Sequence, residues 1–218
     1  MVKVFIVGAA GKVGARLTKL LASNGHKVRA LHRKPEQAAT LNADGAVPVA
    51  GDLTALDTDS LAKLIGDADT LVFSAGAGGA GVEVTNAIDG RGLKLAVAAA
   101  KQAGIDRLIL VSAFPDALRD GDRNDGFENY IRVKKLADAY LVASGLDYVI
   151  LRPGTLSDDT GTGNIRADLA ISYGTVSRDD VAAVLLGIVE RPALRRTVIE
   201  LTAGDEPIAH ALDRLGAR

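Results

Sequence analysis

Short apolar segments alternate with longer segments of helical periodicity along most of the chain. The first apolar segment, Val2 to Val7, hardly alternates and ends at Gly8, which is typical of a parallel strand buried on both faces. The next segment, Lys12 to Ser23, has apolar residues at helical spacing and is followed by Asn24-Gly25, residues that tolerate the left-handed backbone at a helix end. The chain therefore begins with a predicted strand, a turn and a helix.

The same alternation continues toward the C-terminus. Further strands are predicted at Lys27 to His32, Ala46 to Ala50, Thr70 to Ser74, Arg107 to Ser112, Tyr148 to Leu151 and Thr197 to Leu201. Further helices are predicted at Pro35 to Asn42, Asp57 to Ile65, Asn86 to Ala103, Phe127 to Ser144, Val181 to Glu190 and Ile208 to Leu215. Because parallel crossovers are right-handed and place helices on both faces of a sheet, this order predicts an α/β fold with a doubly wound, mainly parallel sheet.

The alternation weakens after Pro153-Gly154. Ser157 to Asn164 is polar and glycine-rich, as surface loops are, and we expect it to form a flap in a small substrate-side region around residues 154–176. Ser177 is expected to cap the helix that follows. The sequence shows no internal repeat and no interdomain linker, so residues 1–218 are predicted to form a single domain.

Composition and charge exclude several classes of function. The chain has 218 residues, with 26 Lys and Arg against 27 Asp and Glu and a net charge of −1, so we expect no binding to nucleic acid or to a membrane surface. It has no cysteine and only three histidines, which excludes disulfides and thiolate-bound metals and predicts that no metal is bound. Since no apolar run approaches about 18 residues, we expect neither a signal peptide nor a spanning helix, and a cytoplasmic protein.

A glycine-rich turn, G-A-A-G-K-V-G from Gly8 to Gly14, lies between the first predicted strand and helix. This is the context of the dinucleotide fingerprint of Rossmann-type folds, although the common pattern has glycine in place of Ala9. Gly8 permits the tight turn, Gly11 lets backbone N–H groups approach a pyrophosphate, and Gly14 brings the helix close to the sheet. The alternative is a turn that binds no ligand. The residues expected at the pyrophosphate are Gly8, Gly11, Lys12, Val13 and Gly14.

The end of the second strand, about 20 residues further on, distinguishes NADP(H) from NAD(H), because a carboxylate there binds a ribose 2′-hydroxyl and an arginine binds a 2′-phosphate. The chain has Arg33 and Lys34 at this point and no carboxylate. Because a guanidinium makes bidentate phosphate contacts, we expect NADP(H) to be favoured over NAD(H), with Lys12 adding a second charge. The alternative is an ordinary pair of solvated loop charges.

Asp52, with Leu53 beside it, follows the third predicted strand. We expect both residues at the cofactor, with the carboxylate of Asp52 over the adenine amino group. Alternatively, Asp52 caps the turn that follows.

Tyr130 and Lys134 are four residues apart on a predicted helix, so both side chains lie on one face. A tyrosine titrates near ~10 in water, and acid–base work at neutral pH needs a neighbouring cation such as Lys134 or a nicotinamide to lower that pKa. Ser112 ends the fifth strand, at the sheet edge where ligands bind in open α/β folds, and its hydroxyl is expected to hold a substrate carbonyl. The alternative for Ser112 is local bonding at the strand end. The predicted catalytic residues are therefore Ser112, Tyr130 and Lys134.

Several of these motifs together resemble one protein family. They are the turn from Gly8 to Gly14, Ser112, the Y-I-R-V-K segment from Tyr130 to Lys134, and S-G-L-D-Y-V-I-L-R-P-G from Ser144 to Gly154. In these motifs, the chain resembles atypical short-chain dehydrogenases/reductases of the NAD(P)-binding, NmrA-like kind. The resemblance implies a Rossmann-type fold and a nicotinamide cofactor.

The resemblance also implies roles for further residues. Lys134 would hold the nicotinamide ribose hydroxyls. The residues implied to line the cofactor are Ser74, Ala75 and Gly76, and those implied to lie beside the nicotinamide are Pro153, Gly154 and Thr155. Arg152 is expected to pair with a carboxylate at the sheet end, with a substrate anion as the alternative partner.

These residues favour an NADP(H)-dependent oxidoreductase that transfers a hydride to a carbonyl-type small molecule, with Tyr130 as proton donor. Two alternatives stay open. Some members of the family have lost the catalytic residues, which implies a non-enzymatic NAD(P)(H)-sensing regulator, and an NAD(P)-dependent epimerase would use the cofactor only transiently. The sequence names no substrate and is compatible with a monomer or a homodimer.

Overall fold

A computed structural model of the protein describes residues 1–118, 121 and 124–217. Its strands are β1 (Lys3–Val7), β2 (Lys27–His32), β3 (Val47–Ala50), β4 (Thr70–Phe73), β5 (Arg107–Val111), β6 (Asp147–Pro153), β7 (Thr155–Ser157), β8 (Asn164–Asp168), β9 (Thr175–Ser177), β10 (Thr197–Ala203) and β11 (Glu206–Pro207). Within the described residues, nine of these strands form one sheet in the order β11-β8-β10-β6-β5-β4-β1-β2-β3, and β7 pairs with β9 in a separate small sheet.

The six N-terminal strands of the large sheet are parallel and follow the spatial order 3-2-1-4-5-6. This is the strand order of the doubly wound dinucleotide-binding fold. The chain reverses its direction of winding between β1 and β4, which leaves a crevice at the carboxyl ends of these two strands. Strand β10 extends the parallel sheet beside β6, and β8 then runs antiparallel to β10.

Helices cover both faces of the sheet. They are α1 (Lys12–Ser23), α2 (Gln37–Ala43), α3 (Thr58–Ile65), α4 (Val82–Thr85), α5 (Leu93–Gln102), α6 (Asp125–Val142), α7 (Arg178–Val189) and α8 (Ile208–Gly216), with a π-helical segment at Asn86–Gly92. Helices α1, α7 and α8 pack on one face and α3, α5 and α6 on the other. The α/β, doubly wound fold that the sequence predicts is therefore confirmed.

The sheet has one apolar core on each face, and alternate residues of β1 belong to different cores. Val4 and Ile6 belong to the core under α1, whereas Phe5 and Val7 belong to the core under α3 and α5. Successive side chains of a strand point to opposite faces, so a strand covered on both sides must be apolar at nearly every position. This explains why β1 hardly alternates in sequence.

The region after Pro153 is more regular than its sequence indicates. Strands β7, β8 and β9 lie between residues 155 and 177. The sequence predicts no strand in this region, only a polar flap. These strands have three to five residues each, too few for a clear alternation of apolar and polar positions. The segment between β7 and β8 remains the loop that the sequence predicts.

The helix predicted from Asn86 to Ala103 differs from a regular α-helix in its first turns. The helical backbone begins earlier, at Val82, and residues Asn86–Gly92 have the wider π-helical form. Segments of this kind are rare and occur often at functional sites. Ser177, by contrast, caps α7 as predicted, because its side chain accepts a hydrogen bond from the Asp180 N–H at 2.9 Å.

In the part of the chain that the structure describes, no helix combines the length and the apolar character needed to cross a membrane.

Replacement of Gly204 by alanine is expected to destabilise the β8 edge of the sheet. A Cβ at this position would lie 2.4 Å from the Arg166 nitrogen and 2.5 Å from the Ile165 carbonyl carbon, so the backbone must move. We expect a loss of about 1–3 kcal/mol in the free energy of unfolding, or roughly 2–4 °C in Tm for each kcal/mol, measured by thermal denaturation. The control Gly216→Ala adds a Cβ to open space and should leave Tm almost unchanged; equal Tm values for both variants would contradict the steric argument.

Candidate functional site

Backbone contacts explain all three glycines of the turn between β1 and α1. Gly8 has φ +89°, and a Cβ there would lie 2.4 Å from the nitrogen of Ala75 at the end of β4. A Cβ on Gly14 would lie 2.2 Å from the Gly8 carbonyl oxygen, the same oxygen that accepts a hydrogen bond from the Gly11 N–H at 3.0 Å. Ala9 is fully buried, so alanine fits where the common pattern has glycine. The turn is tightly packed, and side chains are excluded at Gly8 and Gly14, whereas a Cβ on Gly11 would lie 3.2 Å from the Gly8 carbonyl oxygen.

Helix α1 begins at this turn with Gly11 as its N-cap. Gly11 has an extended backbone, and within the part of the chain that the structure describes there is no side-chain cap hydrogen bond. Free N–H groups at a helix start and the positive end of the helix dipole form a binding site for phosphate oxygens. The predicted pyrophosphate residues, which include Lys12 and Val13, therefore lie where the backbone can act as the donor.

The residues after β4 lie beside the same turn. Ser74 donates its backbone N–H to the Val7 carbonyl at 2.8 Å, which holds the end of β4 against β1. The Ser74 hydroxyl is buried and has no hydrogen-bond partner among the described residues. An unsatisfied buried hydroxyl is costly, so this group fits a polar ligand in the crevice. Ala75 and Gly76 follow it, as the family resemblance implies.

Arg33 and Asp52 lie at the ends of β2 and β3. The guanidinium of Arg33 is exposed and shows no ion pair among the described residues, while its backbone N–H donates to Gln37 at 3.1 Å. Asp52 accepts hydrogen bonds from the Thr54 N–H at 2.9 Å and the Thr54 hydroxyl at 2.7 Å. These bonds, with a smaller effect of the Arg33 charge, lower the pKa of Asp52. The structure therefore shows the turn-capping arrangement of Asp52, with Leu53 inside the turn.

Lys12 does not point a free charge at the glycine turn. Its ammonium pairs with Asp158 of the flap at 2.7 Å, and the same carboxylate also pairs with Arg178 at 2.9 Å. The cations around it hold the pKa of Asp158 below its ordinary value, with the Lys12 hydrogen bond as the largest cause. In this arrangement the Lys12 ammonium contacts the flap, and a second phosphate-binding charge at Lys12 stays a prediction.

Helix α6 presents Tyr130 and Lys134 on one face, as their spacing predicts. Lys134 is only 4% exposed, and its ammonium donates to the Val111 carbonyl at 2.8 Å and to Asp89 at 3.3 Å. Val111 immediately precedes Ser112, so the ammonium holds α6 against the carboxyl end of β5. The structure therefore brings Ser112 and Lys134 together, with Tyr130 one turn before Lys134.

The Tyr130 phenol is less acidic than the sequence led us to expect. Burial raises its pKa, the Lys134 charge lowers it, and Asp89 and Asp138 raise it again. The net shift is upward because burial outweighs the ammonium, and because Asp89 lies beside that ammonium. The lowering effect of Lys134 that the sequence predicts is therefore present, but burial outweighs it, and the contribution of a nicotinamide charge stays a prediction.

Tyr130 packs in a small cluster of aromatic and aliphatic side chains. Its ring lies 5.9 Å from that of Phe127, and both pack against a small apolar cluster that contains Phe114. Tyr173, another member, contacts the Phe114 ring edge-on at 5.5 Å and hydrogen-bonds to Thr155. Through Thr155, the segment of Pro153, Gly154 and Thr155 after β6 borders the same cluster. The surroundings of the phenol are thus apolar on the α6 side.

Three buried charged groups of this region were missed in the sequence. Asp89 accepts from Lys134 and from the Ala77 N–H, Asp138 accepts from Ser112 and Arg152, and Glu200 lies 3.7 Å from Arg152. Asp138 follows Lys134 by four residues, so the helical spacing was a usable signal for it. Asp89 gave no such signal because its position depends on the π-helical segment. The expectation that Arg152 pairs with a carboxylate at the sheet end is confirmed.

Comparison with known proteins adds four findings. A family model described as NAD(P)H-binding matches residues 8–192. The "Uncharacterized sugar epimerase YhfK" of Bacillus subtilis (strain 168) is 40% identical over 215 residues, covering 98% of this chain and all of that protein. The solved structure of the oxidoreductase ylbE from Lactococcus lactis is 29% identical with a TM-score of 0.87, covering 99% of this chain and 97% of that one. ChuY of Escherichia coli O157:H7, described as an "Anaerobillin Reductase", is 30% identical with a TM-score of 0.78 and coverages of 93% and 98%.

Replacement of Lys134 by methionine is expected to destabilise the protein, because the buried carboxylate of Asp89 would lose its counter-charge. Removal of one partner of a buried ion pair costs about 3–5 kcal/mol, measured as the free energy of unfolding in urea. The double variant Lys134→Met/Asp89→Asn removes both charges and should recover part of the loss. Lys135→Met, on the exposed side of the same helix, is the matched control. Equal stabilities of the Lys134 and Lys135 variants would show that the pair contributes nothing.

Proposed function

Because the chain belongs to the NAD(P)H-binding family, we propose that it is an NADP(H)-dependent oxidoreductase that transfers a hydride to a carbonyl-type small molecule. The observation that carries the proposal is the grouping of Ser112, Tyr130 and Lys134 at the carboxyl end of β5, on the same sheet edge as the glycine turn after β1. Ligands of doubly wound folds bind along this edge. This placement supports a proton donor and a nucleotide site that share one crevice.

The residues around the glycine turn fit a dinucleotide. The uncapped N–H groups of α1 would hold the pyrophosphate, and the unpartnered Ser74 hydroxyl would bond the nucleotide as it passes β4. Lys134 would bind the nicotinamide ribose hydroxyls, and the backbone from Pro153 to Thr155 would lie beside the nicotinamide. The bound nicotinamide supplies the hydride and, when oxidised, a positive charge.

Side chains of the protein provide the proton for the reduction. Tyr130 donates the proton on its phenol oxygen to the substrate oxygen, which becomes a hydroxyl as the carbonyl carbon is reduced. Lys134 and the oxidised nicotinamide provide the positive charges that favour the resulting phenolate, against the opposing effects of burial and the neighbouring carboxylates. The apolar cluster around Phe114 excludes water from this side. The small region of residues 154–176 would cover the substrate.

Arg33 supports NADP(H) over NAD(H). Its guanidinium is exposed at the end of β2, the position at which a 2′-phosphate is bound in this fold, and the carboxylate of Asp52 near it is held by Thr54. A free guanidinium can take a phosphate in a bidentate contact.

An NAD(P)-dependent epimerase is the second candidate. It is favoured by the name of the YhfK relative, which identifies that protein as a sugar epimerase. Product analysis separates the two: an epimerase inverts a stereocentre without net oxidation of the cofactor, whereas a reductase consumes NADPH in proportion to product. A cofactor that binds without turnover of any carbonyl or sugar would instead favour the non-enzymatic sensor.

Replacement of Tyr130 by phenylalanine should leave NADPH binding nearly unchanged and lower kcat by about 10²–10⁴, the usual contribution of a general acid. Binding is measured by NADPH fluorescence, and turnover by the loss of absorbance at 340 nm with a panel of ketones, aldehydes and quinones. The control is Tyr140→Phe, at an exposed position on the same helix. Unchanged turnover in the Tyr130 variant would remove the phenol from the mechanism.

Replacement of Arg33 by alanine should weaken NADPH binding selectively. Loss of a charge-assisted hydrogen bond of about 1.5–3 kcal/mol corresponds to roughly a 10- to 150-fold increase in Kd, whereas the Kd for NADH should change little. Titration with both coenzymes measures the effect. The control Lys19→Ala removes a charge from the exposed side of α1. If the Arg33 variant weakens both coenzymes equally, the proposed 2′-phosphate contact is wrong.

A further inference from the structure

The hydroxyl of Ser112 is bonded on its buried side. It donates to the Asp138 carboxylate at 2.6 Å, and Ser112 and Asp138 are each 4% exposed. A serine hydroxyl has one proton to donate and two lone pairs to accept with. The short distance to a carboxylate is typical of a charge-assisted bond in which the hydroxyl is the donor. The hydroxyl proton of Ser112 is therefore donated to Asp138.

A chain of charged groups lies behind Ser112 and Asp138. Arg152 donates to the second carboxylate oxygen at 2.9 Å and approaches Glu200 at 3.7 Å. Glu200 in turn accepts the Ile171 N–H at 2.9 Å. Burial raises the pKa of Asp138 above its ordinary value, and the Ser112 hydrogen bond, the Arg152 guanidinium and the Lys134 ammonium oppose this shift without cancelling it.

We infer that Ser112 is a hydrogen-bond acceptor toward the cleft, held in this state by Asp138 and Arg152, and that the substrate carries a hydroxyl or N–H donor next to its reacting carbonyl. This inference rests on the proposed function, and it replaces the expected role of Ser112 as a donor to the carbonyl. Tyr130 is left as the donor to that carbonyl, and the Ser112 oxygen accepts from the neighbouring group. Asp138 and Arg152 are positioning residues, because they act through Ser112.

The inference predicts a preference between two ketones that differ by one donor. 2-Hydroxyacetophenone carries a hydroxyl beside its carbonyl, and 2-methoxyacetophenone carries the methyl ether, which accepts but cannot donate. A hydrogen bond made by one and not by the other should give the hydroxy ketone a roughly tenfold higher kcat/KM. Equal values, or a preference for the ether, would overturn the inference.

Variants of the network show whether Ser112 and Asp138 cause the preference. In Ser112→Ala the acceptor is gone. In Asp138→Asn the amide oxygen must face Arg152, which can only donate, so the amide NH2 faces Ser112 and the hydroxyl proton is free to point to the cleft. Both variants should therefore reduce the ratio of kcat/KM values to about one. The double variant should have the same ratio as either single variant, since Asp138 acts only through Ser112. The control is Asp147→Asn, which removes the charge of a partly exposed carboxylate that pairs with Arg195 and Arg196. A ratio unchanged by Ser112→Ala would refute the proposed contact, even if overall activity falls.

A measurement without substrate separates this inference from the proposed function. The carboxyl carbon of Asp138 can be titrated by ¹³C NMR and assigned by its absence in Asp138→Asn. We expect an ionised carboxylate at pH 7 and a higher pKa in Ser112→Ala, because a stabilising hydrogen bond is lost. A protonated Asp138 at pH 7, or a pKa insensitive to Ser112, would overturn the inference. If the wild-type protein reduces no carbonyl, the proposed function fails, while this titration still decides whether Ser112 donates to Asp138.

Discussion

Contact between backbone atoms at the first turn is the constraint on which the site depends. Gly8 lies against the chain at Ala75, and Gly14 lies against the Gly8 carbonyl. These contacts join β1, α1 and the end of β4 at the point where the strand order reverses. They hold the uncapped start of α1 over the sheet edge, where its N–H groups can bind phosphate. Side chains at these two glycines would separate the helix from the sheet, so sequence, fold and ligand site meet in this contact.

The second half of the site is a stripe of polar groups along α6. Tyr130, Lys134 and Asp138 recur every fourth residue. Lys134 and Asp138 each form hydrogen bonds to residues of other elements. Replacing buried ion pairs by apolar residues often stabilises a protein, so stability alone does not explain the pairs of Lys134 with Asp89 and of Asp138 with Arg152. The proposed chemistry gives both pairs a role at the sheet edge.

The sequence predicts what depends on neighbours along the chain. The alternation of strands and helices, the turn at Gly8 and the shared face of Tyr130 and Lys134 all follow from local spacing, and the fold is confirmed. Contacts between distant segments could not be predicted in this way. The Lys12–Asp158 pair joins residues 146 positions apart, and the pKa of Tyr130 depends on burial and on Asp89 from another helix. The short strands after Pro153 lack the length that makes a period visible.

The π-helical segment Asn86–Gly92 places Asp89 opposite Lys134 and the Ala77 N–H. A π-helical turn holds one more residue than an α-helical turn, and each residue of an α-helix advances the chain by about 100°. This difference in winding changes the angular position of the residues before the segment relative to those of α5. The segment therefore acts as a phase shift: it lets one continuous helix present its apolar side to the sheet at one end and a carboxylate to the crevice at the other.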